Sequence, residues 1–256
     1  MSVDRMRAPG EAGTRDDATV WHDAENGSYA ADLRLWERLA REHQGGVVDI
    51  GAGTGRVSLH LAASGHTVTA VDNDPALLAV LTERAADRGL AIETICCDAR
   101  SLELPGSYPL IIAPMQLLHI LGGDSGRRQA LAGVAAHLQS GGRFCAAVLD
   151  EPLPLGTARP EPIPDVCELD GWVYSSLPTE IHIDEDSIRM RRLRQLVAPD
   201  GELTEEENSI TLDRFTLAGL DRDAIVADMQ IVSGERIPTT ERYEDSVVAI
   251  MERSDV

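Results

Sequence analysis

Residues 47–55 read VVDIGAGTG, where an apolar run passes directly into three glycines set two residues apart. An apolar run of this length that ends in a turn is typical of a buried strand, and glycine permits backbone that other residues rarely adopt. When such a turn also opens a helix, its main-chain N–H groups can approach a ligand closely. The segment therefore predicts a parallel sheet with a ligand beside its first strand-to-helix turn.

Strand and helix patterns alternate along the chain up to residue 150. After the first strand, strand patterns at 67–73, 91–100, 108–116 and 143–150 are separated by amphipathic segments. This order predicts an α/β fold with a doubly wound, mostly parallel sheet. A ligand of such a sheet lies outside the carboxyl ends of its strands.

The pattern changes after residue 150. Residues 151–165 are proline-rich and irregular, and four strand-like segments follow between residues 172 and 213. We interpret 151–213 as an antiparallel β insertion that acts as a lid or as a dimer contact. A helix at 216–229 and two more strands then complete a seven-stranded main sheet.

Length and composition set the domain organisation. With 256 residues, of which 43% are hydrophobic, the chain has enough apolar material for one large domain with an insertion. Residues 1–18 are rich in glycine, proline and charge and are predicted to be a disordered tail. We expect residues 19–256 to form a single domain.

Charge and hydropathy limit the classes of binding partner and the cellular location that we expect. The net charge is -20, which opposes nucleic-acid binding, so we expect a small-molecule partner and no nucleic acid. No run of about 18 apolar residues could span a membrane, and the first residues lack the apolar segment of a secretory signal. A cytoplasmic protein without a membrane partner is expected. Four cysteines without paired spacing predict free thiols and no metal site.

Three acids mark the ends of the first three strands. Asp49 precedes the glycines, Asp72 ends the second strand and Asp98 ends the third. A carboxylate at the position of Asp72 can accept hydrogen bonds from both ribose hydroxyls of an adenosine, and Asp98 or its neighbouring backbone can bind an adenine amino group. The alternative is a dinucleotide site, whose fingerprint is G-x-G-x-x-G; here the third glycine comes one residue earlier, and Asp49 would face a pyrophosphate.

The segments DIGAGTG, VDNDPALL, CDARSLEL and LIIAPMQLLH resemble, in order and spacing, the successive motifs of class I S-adenosylmethionine-dependent methyltransferases. The match covers residues 46–150. The terminal SVVAIMER resembles the strand that inserts antiparallel into that family's sheet. The insertion resembles that of glycine N-methyltransferase-like and sugar N,N-dimethyltransferase members.

The resemblance implies a Rossmann-like methyltransferase fold, S-adenosylmethionine as cofactor and S-adenosylhomocysteine as product. The glycines would surround the methionine moiety, Asp72 would hold the ribose, and Asp98 with Ala99 the adenine. Acids suit this cofactor because it carries a sulfonium and an ammonium group. The cofactor-binding residues implied in this way are Asp49, Gly51, Ala52, Gly53, Gly55, Asp72, Asn73, Asp98, Ala99, Pro114 and Met115.

Two residues are candidates for catalysis. His119 follows the fourth strand and could deprotonate an acceptor at neutral pH, or it could be a histidine buried in the core. Tyr29 could contact the donor or the acceptor, or it could pack against the first helix as a hydrophobic staple. We assign Arg56 to the solvated surface.

The proposed substrate lining and the proposed reaction follow from the same resemblance. Gln116, Trp21 and Glu151 are the candidate lining residues. Residues 113–116 read APMQ, which departs from the NPPY-like tetrapeptide of enzymes that methylate DNA bases. The sequence thus predicts in-line methyl transfer to an oxygen or nitrogen of a small molecule, by a possible homodimer. The alternatives are a cyclase- or lyase-type enzyme that uses the same cofactor, or a non-catalytic subunit that binds it.

Overall fold

The computed structural model describes residues 17–149, 154–161, 163–239 and 246–254. Most of the tail predicted at residues 1–18 lies outside these ranges, as does the candidate lining residue Glu151. Ala18 already belongs to the first helix.

The first five strands are parallel and form most of the main sheet. Val47 of the first strand pairs with Val68 on one side and Leu110 on the other, which places that strand in the middle of the sheet. The sheet runs in the order β3-β2-β1-β4-β5 over this part. The strands are β1 (Val47–Ile50), β2 (Val68–Asp72), β3 (Ile92–Cys96), β4 (Tyr108–Ala113) and β5 (Leu138–Val148).

The insertion after β5 is an antiparallel sheet of five strands. It runs in the order β10-β9-β8-β6, and β7 also pairs with β8. The strands are β6 (Gly156–Ala158), β7 (Asp165–Leu169), β8 (Trp172–Ile183), β9 (Ser187–Val197) and β10 (Leu203–Asp213).

Two details of the insertion correct the sequence analysis. The segments 172–176 and 179–184 were predicted as separate strands, but they form the single strand β8. Its register shifts between Pro178 and Glu180, since proline has no N–H for the ladder and breaks the alternation without ending the strand. Residues 151–165 were predicted to be irregular, yet they contain β6 and the first residue of β7.

The last two strands complete the main sheet. β11 (Met229–Ile237) and β12 (Ser246–Arg253) pair antiparallel, and β12 also lies antiparallel to β5. The full order is therefore β11-β12-β5-β4-β1-β2-β3. The predicted doubly wound, mostly parallel sheet of seven strands is confirmed, as is the antiparallel placement of the last strand.

Helices cover both faces of the main sheet. Alternate residues of β4 enter the two layers: Ile111 packs with Leu131 on one face, whereas Leu110 and Ile112 pack with Trp36 on the other. Among the described residues, no helix is both long and apolar enough to cross a membrane. The helices are α1 (Ala18–Asn26), α2 (Leu33–Glu42), α3 (Arg56–Ala63), α4 (Pro75–Asp87), α5 (Gly123–His137) and α6 (Leu217–Val226).

Candidate functional site

Three neighbouring strand ends bring the predicted residues together. Because β1, β2 and β3 are parallel and adjacent, their carboxyl ends lie at one edge of the sheet. The glycine turn of residues 51–55 follows β1, Asp72 ends β2, and Asp98 comes two residues after β3 ends. This is the edge where ligands of doubly wound sheets bind.

The glycine turn is closed by β2 and by the helix that follows it. The N–H groups of Gly51 and Ala52 both donate to the carbonyl oxygen of Val71, at 2.8 and 3.0 Å. Gly55 has φ +94°, and a Cβ there would lie 2.7 Å from Cγ of Leu81 on α4. Glycine at this position therefore allows α4 to pack closely against the turn.

The carboxylate of Asp72 is fixed by two main-chain donors. Oδ2 accepts the N–H of Gly53 at 2.8 Å, and Oδ1 accepts the N–H of Asp74 at 3.0 Å. Each carboxylate oxygen has lone pairs for more than one donor, so both can still bind hydroxyl groups. Asn73 lies exposed beside this carboxylate. Asp72 thus joins the glycine turn to the start of α4 and remains half-exposed at the site.

Asp98 lies at the same edge and is held as an anion. Its Oδ1 accepts the main-chain N–H of Arg100 at 2.8 Å, and Nη2 of Arg100 lies 2.6 Å from Oδ2. These contacts with Arg100 lower the pKa of Asp98. Ala99, which follows it, is buried and begins a single helical turn, Ala99–Ser101.

Asp49 lies beneath the glycine turn, inside the protein. Its side chain is 1% exposed, and Oδ2 accepts the hydroxyl of Ser58 on α3 at 2.6 Å. Oδ1 has no hydrogen-bond partner among the described residues. Burial raises the pKa of Asp49 to about 7, against the opposing effects of Ser58 and of the Arg56 charge. The acid is therefore a buried group that orders the turn from below.

The end of β4 carries unusual backbone. Pro114 is buried, and the two residues after it, Met115 and Gln116, have φ of 55° and 56°. Consecutive left-handed conformations in residues other than glycine store strain, a feature that clusters at functional sites. Leu117 comes next, and its Cδ1 would lie 3.1 Å from a Cβ at Gly51. The strained segment therefore borders the glycine turn.

His119 is placed in the core. It is 1% exposed and stacks on Phe215 with ring centroids 4.1 Å apart. Nε2 accepts the N–H of Leu149 at 3.0 Å, and Nδ1 lies 2.7 Å from the carbonyl oxygen of Asp213. Burial lowers the pKa of His119 to about 4. With both nitrogens engaged by main-chain groups, this environment favours the core histidine over the catalytic base.

Tyr29 packs beside an ion pair that the sequence analysis did not foresee. Arg56 was predicted to lie on the solvated surface, but its guanidinium bonds both carboxylate oxygens of Asp32, at 2.6 and 2.8 Å, and its side chain is 12% exposed. That prediction was wrong because Asp32, at the start of α2, is buried and requires a cation. Arg56 also donates to the carbonyl oxygen of Tyr29 and lies 5.1 Å from its ring. Tyr29 is 7% exposed, which favours the packing role.

Helix α1 covers the glycine turn and was missed by the sequence analysis. Asp23 on this helix accepts the hydroxyl of Thr54 at 2.5 Å and pairs with Arg84 on α4. The imidazole of His22 lies directly on Gly53, where a Cβ would come within 2.5 Å of Cε1. The predictive signal was weak, because the segment ATVWHDAEN contains only two large apolar side chains, Val20 and Trp21.

The opposite side of α1 binds the insertion. Trp21 packs edge-on against Tyr174 with ring centroids 5.1 Å apart. Glu25 accepts hydrogen bonds from Arg194 at 2.9 Å and from Ser176 at 2.7 Å. The candidate lining residue Trp21 therefore lies between α1 and the insertion, and α1 bridges the insertion and the glycine turn.

Comparisons with known proteins agree with this geometry. Residues 47–142 match the family model described as "Methyltransferase domain". The cypemycin N-terminal methyltransferase of a Streptomyces species is 32% identical over 124 residues, which are 48% of this chain and 49% of that protein. The match thus spans about half the length of this relative.

Two solved structures share the fold over nearly the whole chain. A S-adenosylmethionine-dependent methyltransferase from Clostridium acetobutylicum has a TM-score of 0.71 and 14% identity, and covers 93% of this chain and 98% of its own. The second is CalS10, an amino pentose methyltransferase from Micromonospora echinaspora, solved with S-adenosylmethionine bound. It has a TM-score of 0.70 and 19% identity, and the match covers 92% of this chain and 97% of CalS10. Residues 47–142 thus match a methyltransferase domain model, and the chain has the fold of these two methyltransferases of known structure.

Proposed function

We propose that this protein transfers a methyl group from S-adenosylmethionine to a nitrogen or oxygen atom of a small molecule. The observation that carries the proposal is the fixed carboxylate of Asp72, held by the N–H groups of Gly53 and Asp74 at the edge of a methyltransferase domain. Its position suits the ribose of an adenosine, as the sequence predicts.

The residues at this edge fit the cofactor. The turn carries no side chain of its own at Gly51 and Gly53, Asp72 offers acceptors, and Asp98 is an anionic acceptor just after the next strand. When bound, S-adenosylmethionine supplies a methyl carbon that a sulfonium has already activated. The acids at the site favour such a cationic ligand by Coulomb attraction.

The chain itself would contribute alignment and exclusion of water. The segment of Met115 and Gln116, with its left-handed backbone, lies beside the glycine turn and could line the site. α1 lies over the turn, and its contacts with the insertion hold it there. Fixing two reactants and excluding water can account for much of the acceleration of an in-line displacement. We propose His119 as a positioning residue that holds the end of β4, because its buried ring has both nitrogens engaged.

An amine is the acceptor that we favour. The net charge of -20 attracts a cationic substrate and opposes nucleic acid. The names of two relatives support an amine acceptor: one is a cypemycin N-terminal methyltransferase, and the other is an amino pentose methyltransferase. A homodimer formed through the insertion remains part of the proposal.

The test is formation of S-adenosylhomocysteine, measured by mass spectrometry with a panel of amino sugars, peptide N-termini, simple amines and phenols. We expect product only when an acceptor is present, and much less with Asp72→Ala. Release of methylthioadenosine without an acceptor would instead indicate lyase- or cyclase-type chemistry. Tight donor binding without turnover on any acceptor would indicate a non-catalytic subunit.

A further inference from the structure

His22 is a polar side chain at the glycine turn that the sequence analysis did not assign. Its imidazole lies on Gly53, so close that a Cβ there would be 2.5 Å from Cε1 and 2.7 Å from Nε2. Nδ1 is buried and has no hydrogen-bond partner among the described residues. A buried nitrogen without a partner is costly and calls for an explanation, of which a ligand group is one.

The position of His22 is set by contacts on both sides of it in the sequence. Asp23 is anchored to Thr54 of the turn and to Arg84, while Trp21 and Glu25 are anchored to the insertion. Burial disfavours the charged form of Asp23, yet hydrogen bonds from His22, Arg84 and Thr54 outweigh it and hold its pKa well below the usual range. The imidazole is therefore held beside a stable anion at the turn.

The charged side chains around the turn leave one group of the cofactor, its α-carboxylate, without a hydrogen-bond donor. Asp72 is an acid that suits the hydroxyl groups of the cofactor. The two arginines near the turn are already paired, Arg56 with Asp32 and Arg84 with Asp23. The α-carboxylate of the cofactor requires a donor, and Nδ1 of His22 can supply one when it carries a proton.

We propose that His22 binds the α-carboxylate of the methyl donor at the glycine turn. This inference rests on the proposed function, because it concerns the same cofactor. The donor would lie beneath α1, and Nδ1 would donate to its carboxylate. His22 is thereby a donor-binding residue supplied by α1.

Titration calorimetry with two donors tests this assignment. S-Adenosylmethionine carries the carboxylate, whereas its decarboxylated analogue does not. His22→Phe keeps a planar ring on the turn and removes both nitrogens. We expect it to weaken S-adenosylmethionine about tenfold, the loss of roughly one hydrogen bond to a charged group, and to leave the analogue within about twofold of wild type. His22→Gln keeps an N–H donor and should recover most of the loss.

The controls separate this inference from the proposed function. His66→Ala removes a histidine at the opposite edge of the sheet and should change neither affinity. If His22→Phe binds both donors as wild type does, or loses both equally, the carboxylate assignment fails while the methyltransferase proposal stands. If wild-type protein binds neither donor, both proposals fall.

Discussion

Leu149 donates its main-chain N–H to Nε2 of His119 at 3.0 Å. Because Nε2 accepts this bond, the neutral ring carries its proton on Nδ1 and donates it to the carbonyl oxygen of Asp213, at 2.7 Å. Leu149 directly follows β5, where the chain leaves for the insertion, and Asp213 ends β10, where it returns. One buried imidazole therefore ties both ends of the insertion to the segment after β4.

We expect His119→Ala to lower the free energy of unfolding by about 2–4 kcal/mol, because two buried main-chain groups lose their partner and a cavity is left. The pH profile of the residual activity should keep its shape near pH 6.5, since burial lowers the pKa of His119 to about 4. Urea unfolding and pH–rate profiles measure the two effects. If His119→Ala is as stable as wild type but its pH–rate profile loses the limb near pH 6.5, His119 is a catalytic base.

A second prediction concerns the pH dependence of stability through Asp49. Its folded-state pKa is raised to about 7, whereas a free aspartate titrates near about 4. The native state therefore binds more protons than the unfolded chain between about pH 4 and 7, and its stability falls as the pH rises through that window. Asp49→Asn should remove this contribution and be more stable than wild type at pH 8, by on the order of 2 kcal/mol.

Urea unfolding of both proteins at pH 5, 6, 7 and 8 gives the comparison. The two stabilities should diverge with rising pH and differ by a constant amount above pH 7. Parallel curves across the whole range would mean that Asp49 titrates normally. Since donor binding also depends on this region, the experiment is done without donor.

A third prediction compares two glycines with similar backbone. Gly53 has φ +56° and carries His22 on its surface, whereas Gly65 has φ +89° and open space, with nothing within 4 Å of the point that a Cβ would occupy. Both alanine variants strain a left-handed residue, at a cost of about 1 kcal/mol. Only Gly53→Ala should displace the imidazole, and we expect it to weaken donor binding at least about tenfold.

Thermal unfolding and calorimetry of the two variants report strain and binding separately. Gly65→Ala should keep wild-type donor affinity despite its lower stability. If Gly53→Ala and Gly65→Ala bind the donor with equal affinity, α1 does not contribute to the donor site.

The fourth prediction concerns the bridge between α1 and the insertion. Glu25 bonds Nε and Nη2 of Arg194 at 2.9 and 3.1 Å and also accepts the hydroxyl of Ser176. Burial alone would raise the pKa of Glu25, but these partners lower it. Glu25→Gln should speed hydrogen exchange in α1 several-fold and raise the KM for the donor, at a stability cost of about 1–2 kcal/mol.

Glu42→Gln is the matched control. Glu42 forms an exposed pair with Arg38 on α2, and such pairs contribute at most about 1 kcal/mol. It should leave the exchange of α1 unchanged. If Glu25→Gln behaves like this control, α1 is held by the glycine turn alone.

The main sheet could be predicted from the sequence because its strands are buried on both faces and their helices end at recognisable glycines. Asp72 was placed correctly at the end of its strand, whereas Asp98 lies two residues beyond β3; both still reach the same edge, because the carboxyl ends of parallel strands must meet there. The contacts that each side chain makes were harder to predict from the sequence. The position of Arg56 in the sequence predicted a solvent-exposed side chain. In the structure it pairs instead with the buried Asp32, which lies 24 residues earlier in the chain.

The parts that sequence reasoning missed depend on contacts between distant segments. Helix α1 is short and has few large apolar side chains, and its position comes from partners such as Arg84 and Arg194, far along the chain. His119 shows the same limit, because its buried state depends on Asp213 and Leu149, which meet only after the insertion has folded back.

Binding of the methyl donor is the most direct test of the whole account. Calorimetry of wild type and Asp72→Ala with S-adenosylmethionine, S-adenosylhomocysteine and NADH separates the cofactor classes. We predict that wild type binds donor and product but not NADH, and that the variant loses both, because the carboxylate that links the glycine turn to the ribose position is gone. Binding of NADH alone would contradict the methyltransferase account and every site assignment built on it.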